Sequence, residues 1–266
     1  MLARRVSRRA VLLGAPLVAL GVASRGASAQ TGLVETMRGD LPLLLTVPHD
    51  GMEAVPGVPR RTGGVRARDA STLAIAHGVS DGLLAALGGR PYLVAAHFSR
   101  RYIDANRPPD QAYEVAAAAP YYDAYHGQVA AYVAELRARF PGGALLVDVH
   151  GQAADRDALI RGTQDGATVA ALLARAGEAA LTGPRSVFGQ LQARGYAVTP
   201  PNTPLGAPPE SLYRGGYTVL AYGSQRATGI DAIQIEIGAT WREPPSAPRL
   251  AADLAAALAV FSEAYL

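Results

Sequence analysis

Apolar residues fall along the chain in two patterns. The first is the short unbroken run: residues 41–48 (LPLLLTVP), 91–96 (PYLVAA) and 144–150 (ALLVDVH) are apolar on both parities and bounded by turn formers. Such runs predict strands buried on both faces of a sheet that is mostly parallel. Residues 159–162, 196–199, 217–222 and 230–238 are further strand candidates, and the last alternates Ile233, Ile235 and Ile237 with Gln234 and Glu236. The second pattern has helical spacing. It runs to about residue 87 behind a possible cap at residues 69–72, over 121–139 with Tyr125, Val129, Tyr132, Val133 and Leu136 on one side, and over 168–181, 185–194 and 246–266. Strands alternating with helices predict one α/β domain, a central mixed sheet with helices on both faces. Residues 55–68 and 200–211 read as loops, and the polar residues 30–40 as an N-terminal tether.

The start of the chain changes this picture. Arg4, Arg5, Arg8 and Arg9 precede an apolar stretch at residues 11–23 and a small-residue site, Ala27-Ser28-Ala29. That order predicts an export signal over residues 1–29, and Ser7-Arg8-Arg9-Ala10-Val11-Leu12 resembles the signature read by the twin-arginine export machinery. The apolar stretch is short for a bilayer span, so no stable membrane anchor is expected. After cleavage near Ala29 the protein is expected in the periplasm or outside the cell, with residues 41–266 as its catalytic domain. The 25 basic residues are all arginines, and five of them lie in residues 1–29 with no acid beside them. The remainder holds 20 basic against 22 acidic residues, which removes the case for a nucleic-acid partner. Without cysteine, neither disulfides nor thiolate chemistry is available.

Candidate chemistry clusters where strands end. TVPH ends at His49 and LVDVH at His150, and parallel strands bring their carboxyl ends together, where open α/β sheets bind ligands. Two imidazoles and a carboxylate are a catalytic zinc set. Glu53 is the natural third ligand, with Asp50 as the alternative if the Asp50-Gly51 turn folds back. Asp148 is placed to support His150. Glu236, on the polar side of an otherwise apolar strand, is placed to act as a general base. Asn106 and Arg107 suit a substrate carboxylate, and Arg100 or Arg101 a developing oxyanion. Tyr217 and His126 are lesser substrate-binding candidates; His77 and His97 read as structural or exposed.

In order, the stretches VPHDG (47–51), SRRYIDANRPP (99–109), YDAYH (122–126), DVHGQ (148–152), IRGTQDG (160–166), RGGY (214–217) and IQIEIG (233–238) resemble the N-formylglutamate amidohydrolase family. The resemblance implies a zinc-carboxypeptidase-like fold. It implies one Zn2+ held by His49, His150 and a carboxylate near Glu53, with Glu236 as the base that activates water, Arg100 polarising the carbonyl, and Asn106 with Arg107 gripping a carboxylate. The expectation is an exported zinc-dependent amidohydrolase cleaving an N-acyl amino acid or a small peptide with a free carboxylate. The rival readings are a cell-wall or peptide metallocarboxypeptidase and a non-catalytic periplasmic solute-binding protein.

Overall fold

The computed structural model describes residues 32–203 and 206–266. The export segment expected at residues 1–29 lies outside the described residues. Seven strands form one sheet: β1 (Val34–Met37), β2 (Leu43–Val47), β3 (Tyr92–Ala96), β4 (Leu145–Gln152), β5 (Ala158–Gly162), β6 (Ala197–Thr199) and β7 (Asp231–Gly238). Their spatial order is β1-β3-β2-β4-β7-β5-β6. β3, β2, β4 and β7 run parallel, β1 and β5 are antiparallel to β3 and β7, and β6 is parallel to β5. The single α/β domain with a mixed, mostly parallel sheet is the one the apolar runs predict.

The longer helices among the described residues are α1 (Thr72–Leu87), α2 (Ala119–Arg139), α3 (Ala170–Ala176), α4 (Val187–Ala193), α5 (Tyr217–Tyr222) and α6 (Ala247–Tyr265), with four-residue helices and 3-10 turns between. Strand parity divides the core. Leu43, Leu45, Leu145, Val147, Ile233 and Ile235 point to one face and meet Ile75, Val79 and Leu83 of α1 and Leu250, Leu254 and Leu258 of α6. Leu44, Leu146 and Ala232 point to the other, under Tyr125, Val129, Val133 and Leu136 of α2.

Register then sets the site. Leu44, Leu146 and Ala232 align across β2, β4 and β7 as an apolar row on the α2 face. One step on, Thr46, Asp148 and Gln234 align as a polar row. One further, His150 pairs with Glu236, and His49 lies just past the end of β2. Because side chains repeat every two residues, the chain changes from core to chemistry along each strand without changing face.

Three expectations are corrected. Part of the expected tether is the edge strand β1, which pairs along the free side of β3. Residues 217–222 are helix α5 rather than a strand, and β7, the strand that follows it in the chain, already pairs on both sides with β4 and β5. Residues 168–181 are not one helix. They break at Gly177, whose φ of 73° lies in the left-handed region.

α1 and α6 approach closely through small residues. A Cβ on Gly78 would lie 2.8 Å from that of Ala251, and one on Gly82 2.6 Å from that of Ala255. Gly82→Val is therefore expected to lower stability by about 1–3 kcal/mol through overpacking, as read by urea denaturation.

Candidate metal centre and active site

His49 and His150 face each other across the carboxyl ends of β2 and β4, with Nδ1 atoms 3.1 Å apart. Both rings are buried, and both are anchored from behind. His49 Nε2 lies 2.7 Å from Asp104 Oδ1, and His150 Nε2 lies 2.8 Å from Asp148 Oδ2. A carboxylate accepts, so each Nε2 carries a proton and it is Nδ1 that each ring turns toward the cavity.

The third corner is Asp69. Its Oδ2 stands 3.3 Å from each Nδ1. Ligand atoms bonded at 2.0–2.2 Å to one tetrahedral ion lie roughly 3.3–3.6 Å apart. The triangle is close to one face of that tetrahedron, and these three buried residues are a group able to hold a metal ion. The donor set fits a divalent cation by its chemistry as well as its spacing. The proton equilibria agree. Burial disfavours a charged His150, but Asp148 and Asp69 outweigh it and hold its pKa well above the usual imidazole value. Burial likewise works against ionised Asp69, yet hydrogen bonds from His150 and His49 carry its pKa far below the usual carboxylate value. The site attracts positive charge strongly.

This corrects both candidates for the third ligand. After His49 the backbone does not fold back. The Glu53 N–H donates to His97 O and its carbonyl accepts from Ser99 N, so it pairs alongside the segment after β3 and leaves its side chain exposed. Asp50 is buried but engaged elsewhere: its Oδ2 accepts from Leu73 N at 2.8 Å and its Oδ1 pairs with Arg68. It caps α1, whose own N-cap residue Ser71 makes no side-chain cap bond. Asp69 reads in the sequence as part of that cap. A signal for its role exists in topology, since a helix that follows a strand begins at the strand's carboxyl end, beside His49. Its N–H donates to His49 O.

A cavity of about 410 Å³ opens over the triangle, lined by His49, Asp69, Arg100, Asn106, Arg107, His150, Gln234 and Glu236 among others. Two larger surface hollows lie away from these groups. Glu236 is buried beside His150 in register, and Gln234 Nε2 donates to its Oε1 at 2.9 Å. Burial pushes its pKa up to about 7. Arg100 is buried, its Nε donating to Asp104 Oδ2 at 2.9 Å, with Nη1 3.9 Å from Asp69 Oδ1. Arg107 reaches the cavity with its Nη1 on Asn106 O. Among the described residues no carboxylate pairs with it.

Asn106 lines the cavity, but its amide is held at both ends. Oδ1 accepts from Thr218 N at 2.8 Å, and Nδ2 lies 3.3 Å from Gln234 Oε1. It fixes the loop that carries Arg107 instead of offering a free grip. Tyr217 and His126 do not line the cavity. Their rings pack together below it, centroids 5.4 Å apart. His126 Nε2 donates to Ala105 O at 2.9 Å, holding the same loop from beneath. His77 and His97 sit apart, paired with Glu35.

A family model described as FGase: N-formylglutamate amidohydrolase matches residues 113–240. The resemblance to the N-formylglutamate amidohydrolases holds. The match includes His150 and Glu236, whereas His49, Asp69 and Arg107 lie before it. Among solved structures, an N-formylglutamate amidohydrolase from Ralstonia eutropha JMP134 is 20% identical with a TM-score of 0.61, the alignment covering 87% of this chain and 98% of that one. A gene product from Agrobacterium tumefaciens is 18% identical with a TM-score of 0.57, covering 89% and 95%. At these identities the likeness is one of fold. No curated protein matches the sequence.

Two outcomes follow from the geometry. Asp69→Ala should reduce affinity for Zn2+ or Co2+ by a hundredfold or more, on the order of what removing one of three ligands costs, whereas Glu53→Ala should leave it unchanged; competition with a chelator measures both. His126 gives a stability effect with a definite sign. Burial lowers its pKa from 6.5 to about 4, so between those pH values the unfolded chain takes a proton that the folded one refuses. Its contribution is present above pH 6.5 and lost as pH falls toward 4, about 3 kcal/mol in all. Denaturation at pH 7 and pH 4.5 should therefore show His126→Asn costing markedly less stability at the lower pH.

Proposed function

We propose that this chain is an exported, metal-dependent amidohydrolase. Its substrate would be an N-acyl amino acid of the N-formylglutamate kind, or a small peptide with a free carboxylate. The observation that carries the reading is the triangle of His49 Nδ1, His150 Nδ1 and Asp69 Oδ2, opening into a cavity that also holds a buried glutamate and an arginine with no acidic partner among the described residues.

His49, His150 and Asp69 would hold the ion, and zinc is the cation that two imidazoles and a carboxylate suit best. When bound, such an ion supplies Lewis acidity to the scissile carbonyl and to water at neutral pH. The remaining work belongs to the chain's own residues. Glu236, oriented by Gln234, accepts a proton from the attacking water at its carboxylate and returns it to the nitrogen of the departing amine. Arg100 keeps a fixed positive charge beside the place where negative charge develops on the carbonyl oxygen. Arg107 offers its free N–H groups to the substrate carboxylate, which lines up the amide before reaction. Asn106 and His126 hold the loop that sets its position. The arginine pair and small-residue site within residues 1–29 favour a substrate met outside the cytoplasm.

The test begins with metal content of the purified mature protein and a hydrolysis screen over N-formyl, N-acetyl and dipeptide substrates. Glu236→Gln should lower kcat by roughly 10²- to 10⁴-fold while bound metal stays at the wild-type level. Undiminished turnover in that variant would sink the mechanism. Tight binding of N-acyl amino acids with no turnover in the wild type would point to a solute-binding protein.

A further inference from the structure

One guanidinium at the edge of the cavity makes contacts that the proposed chemistry does not use. Arg242 lies in the short turn after β7, and its three nitrogens reach three backbone carbonyls. Nε donates to Ile237 O at 3.0 Å, Nη1 to Ala70 O at 2.9 Å, and Nη2 to Gln152 O at 3.2 Å. Among the described residues no carboxylate pairs with it. The carbonyls come from different segments, and each is a near neighbour of a residue of the site. Ala70 follows Asp69, Gln152 stands two residues after His150, and Ile237 follows Glu236.

We infer that Arg242 is a positioning residue that fixes Asp69, His150 and Glu236 relative to one another. The inference rests on the metal reading above. A planar fork of donors can satisfy three acceptors in fixed directions, while an ammonium is a single point on a flexible stem. The turn leading into α1 carries Asp69 and belongs to a different layer from β4 and β7, whose mutual register the sheet already fixes. The arm of Arg242 to Ala70 links that layer to the sheet. Gly151 supports the same role. A Cβ there would stand 2.6 Å from Arg242 Nε and Cζ, so a side chain at 151 would displace the guanidinium. The position between His150 and Gln152 leaves room for the strut, and Gly151 N also donates to Asp69 Oδ2 at 3.1 Å.

The experiment measures Zn2+ affinity by chelator competition and the absorption spectrum with Co2+, using the full mature chain. Arg242→Ala is expected to weaken Zn2+ binding roughly 10- to 100-fold and to alter the Co2+ spectrum, the scale typical of residues that orient ligands without touching the ion. Arg242→Lys should recover little of it, and millimolar guanidinium ion should recover part of it in Arg242→Ala. In kinetics the loss should fall on kcat, with KM for carboxylate substrates little changed. Gly151→Ala, which keeps the arginine but crowds it, should show the same loss in weaker form, and serves where the Arg242 variants do not fold. Wild-type Zn2+ affinity in folded Arg242→Ala and Gly151→Ala would overturn the inference, as would a loss confined to KM, which would make Arg242 a substrate contact. A wild-type protein that binds neither Zn2+ nor Co2+ removes the metal reading itself and the strut with it, and is distinguished by failing before any variant is compared.

Discussion

Two buried carboxylates, Asp104 and Asp148, decide which nitrogen each histidine turns toward the cavity, and the rest of the site depends on that choice. An imidazole offers one lone pair, and the hydrogen bond made by its other nitrogen determines which. Burying an unpaired carboxylate costs several kcal/mol, so both must be compensated before they can serve. Asp148 is met by the Thr46 hydroxyl at 2.6 Å, from the neighbouring strand in register. Asp104 is met by Arg100 and by Asn106 N, with Arg61 3.8 Å away. The sheet supplies one support through register and the 100–107 loop supplies the other.

The same groups set a charge balance. Asp69, Asp104, Asp148 and Glu236 are four buried acids around one cavity floor, and Arg61 and Arg100 are the two buried guanidiniums against them. Arg107 and Arg242 also line the cavity, but among the fully buried groups two negative charges are left over in low dielectric. A divalent cation at the triangle would cancel them. Without it, proton uptake is favoured at His150, whose pKa Asp148 and Asp69 raise, and at Glu236, whose pKa burial raises. Binding a cation should therefore release protons from this region.

Much of the sheet-borne part was legible because a strand writes its faces into the sequence with a period of two. His150, Asp148, Gln234 and Glu236 could be read from alternation alone, and their meeting followed from parallel strands sharing an edge. What was not legible depended on contacts far apart in sequence. Asp69 looks like a helix cap in a window of four residues, because cap and ligand share the same residue type and the same place at the start of a helix. The identity of the actual cap, Asp50, emerges only once the turn after His49 is placed. Tyr217–Tyr222 carries a strand-like apolar run, but β7 had no free side to accept it. Val34–Met37 carries a weak pattern, yet β3 had a side open. In both cases the vacancy in the sheet outweighed the local preference.

Ion holding and substrate choice are carried by different parts of this molecule. His150 and Glu236 stand on strands locked by register, and His49 and Asp69 lie two residues after β2 and three before α1. The outer lining of the cavity comes from loops: Val65 and Arg68 from one, Arg107 from another, Tyr213 and Arg214 from a third. The second and third of these loops are tied to each other by Thr218 N to Asn106 Oδ1, and to the sheet by Gly216 N to Gln234 Oε1. Gln234 is the point where the two parts meet, since the same amide accepts from Gly216 and donates to Glu236. A change in the outer loops can therefore alter what is bound while leaving the triangle intact. A change at Gln234 alters both, because the group that steadies the base also steadies the loop above it.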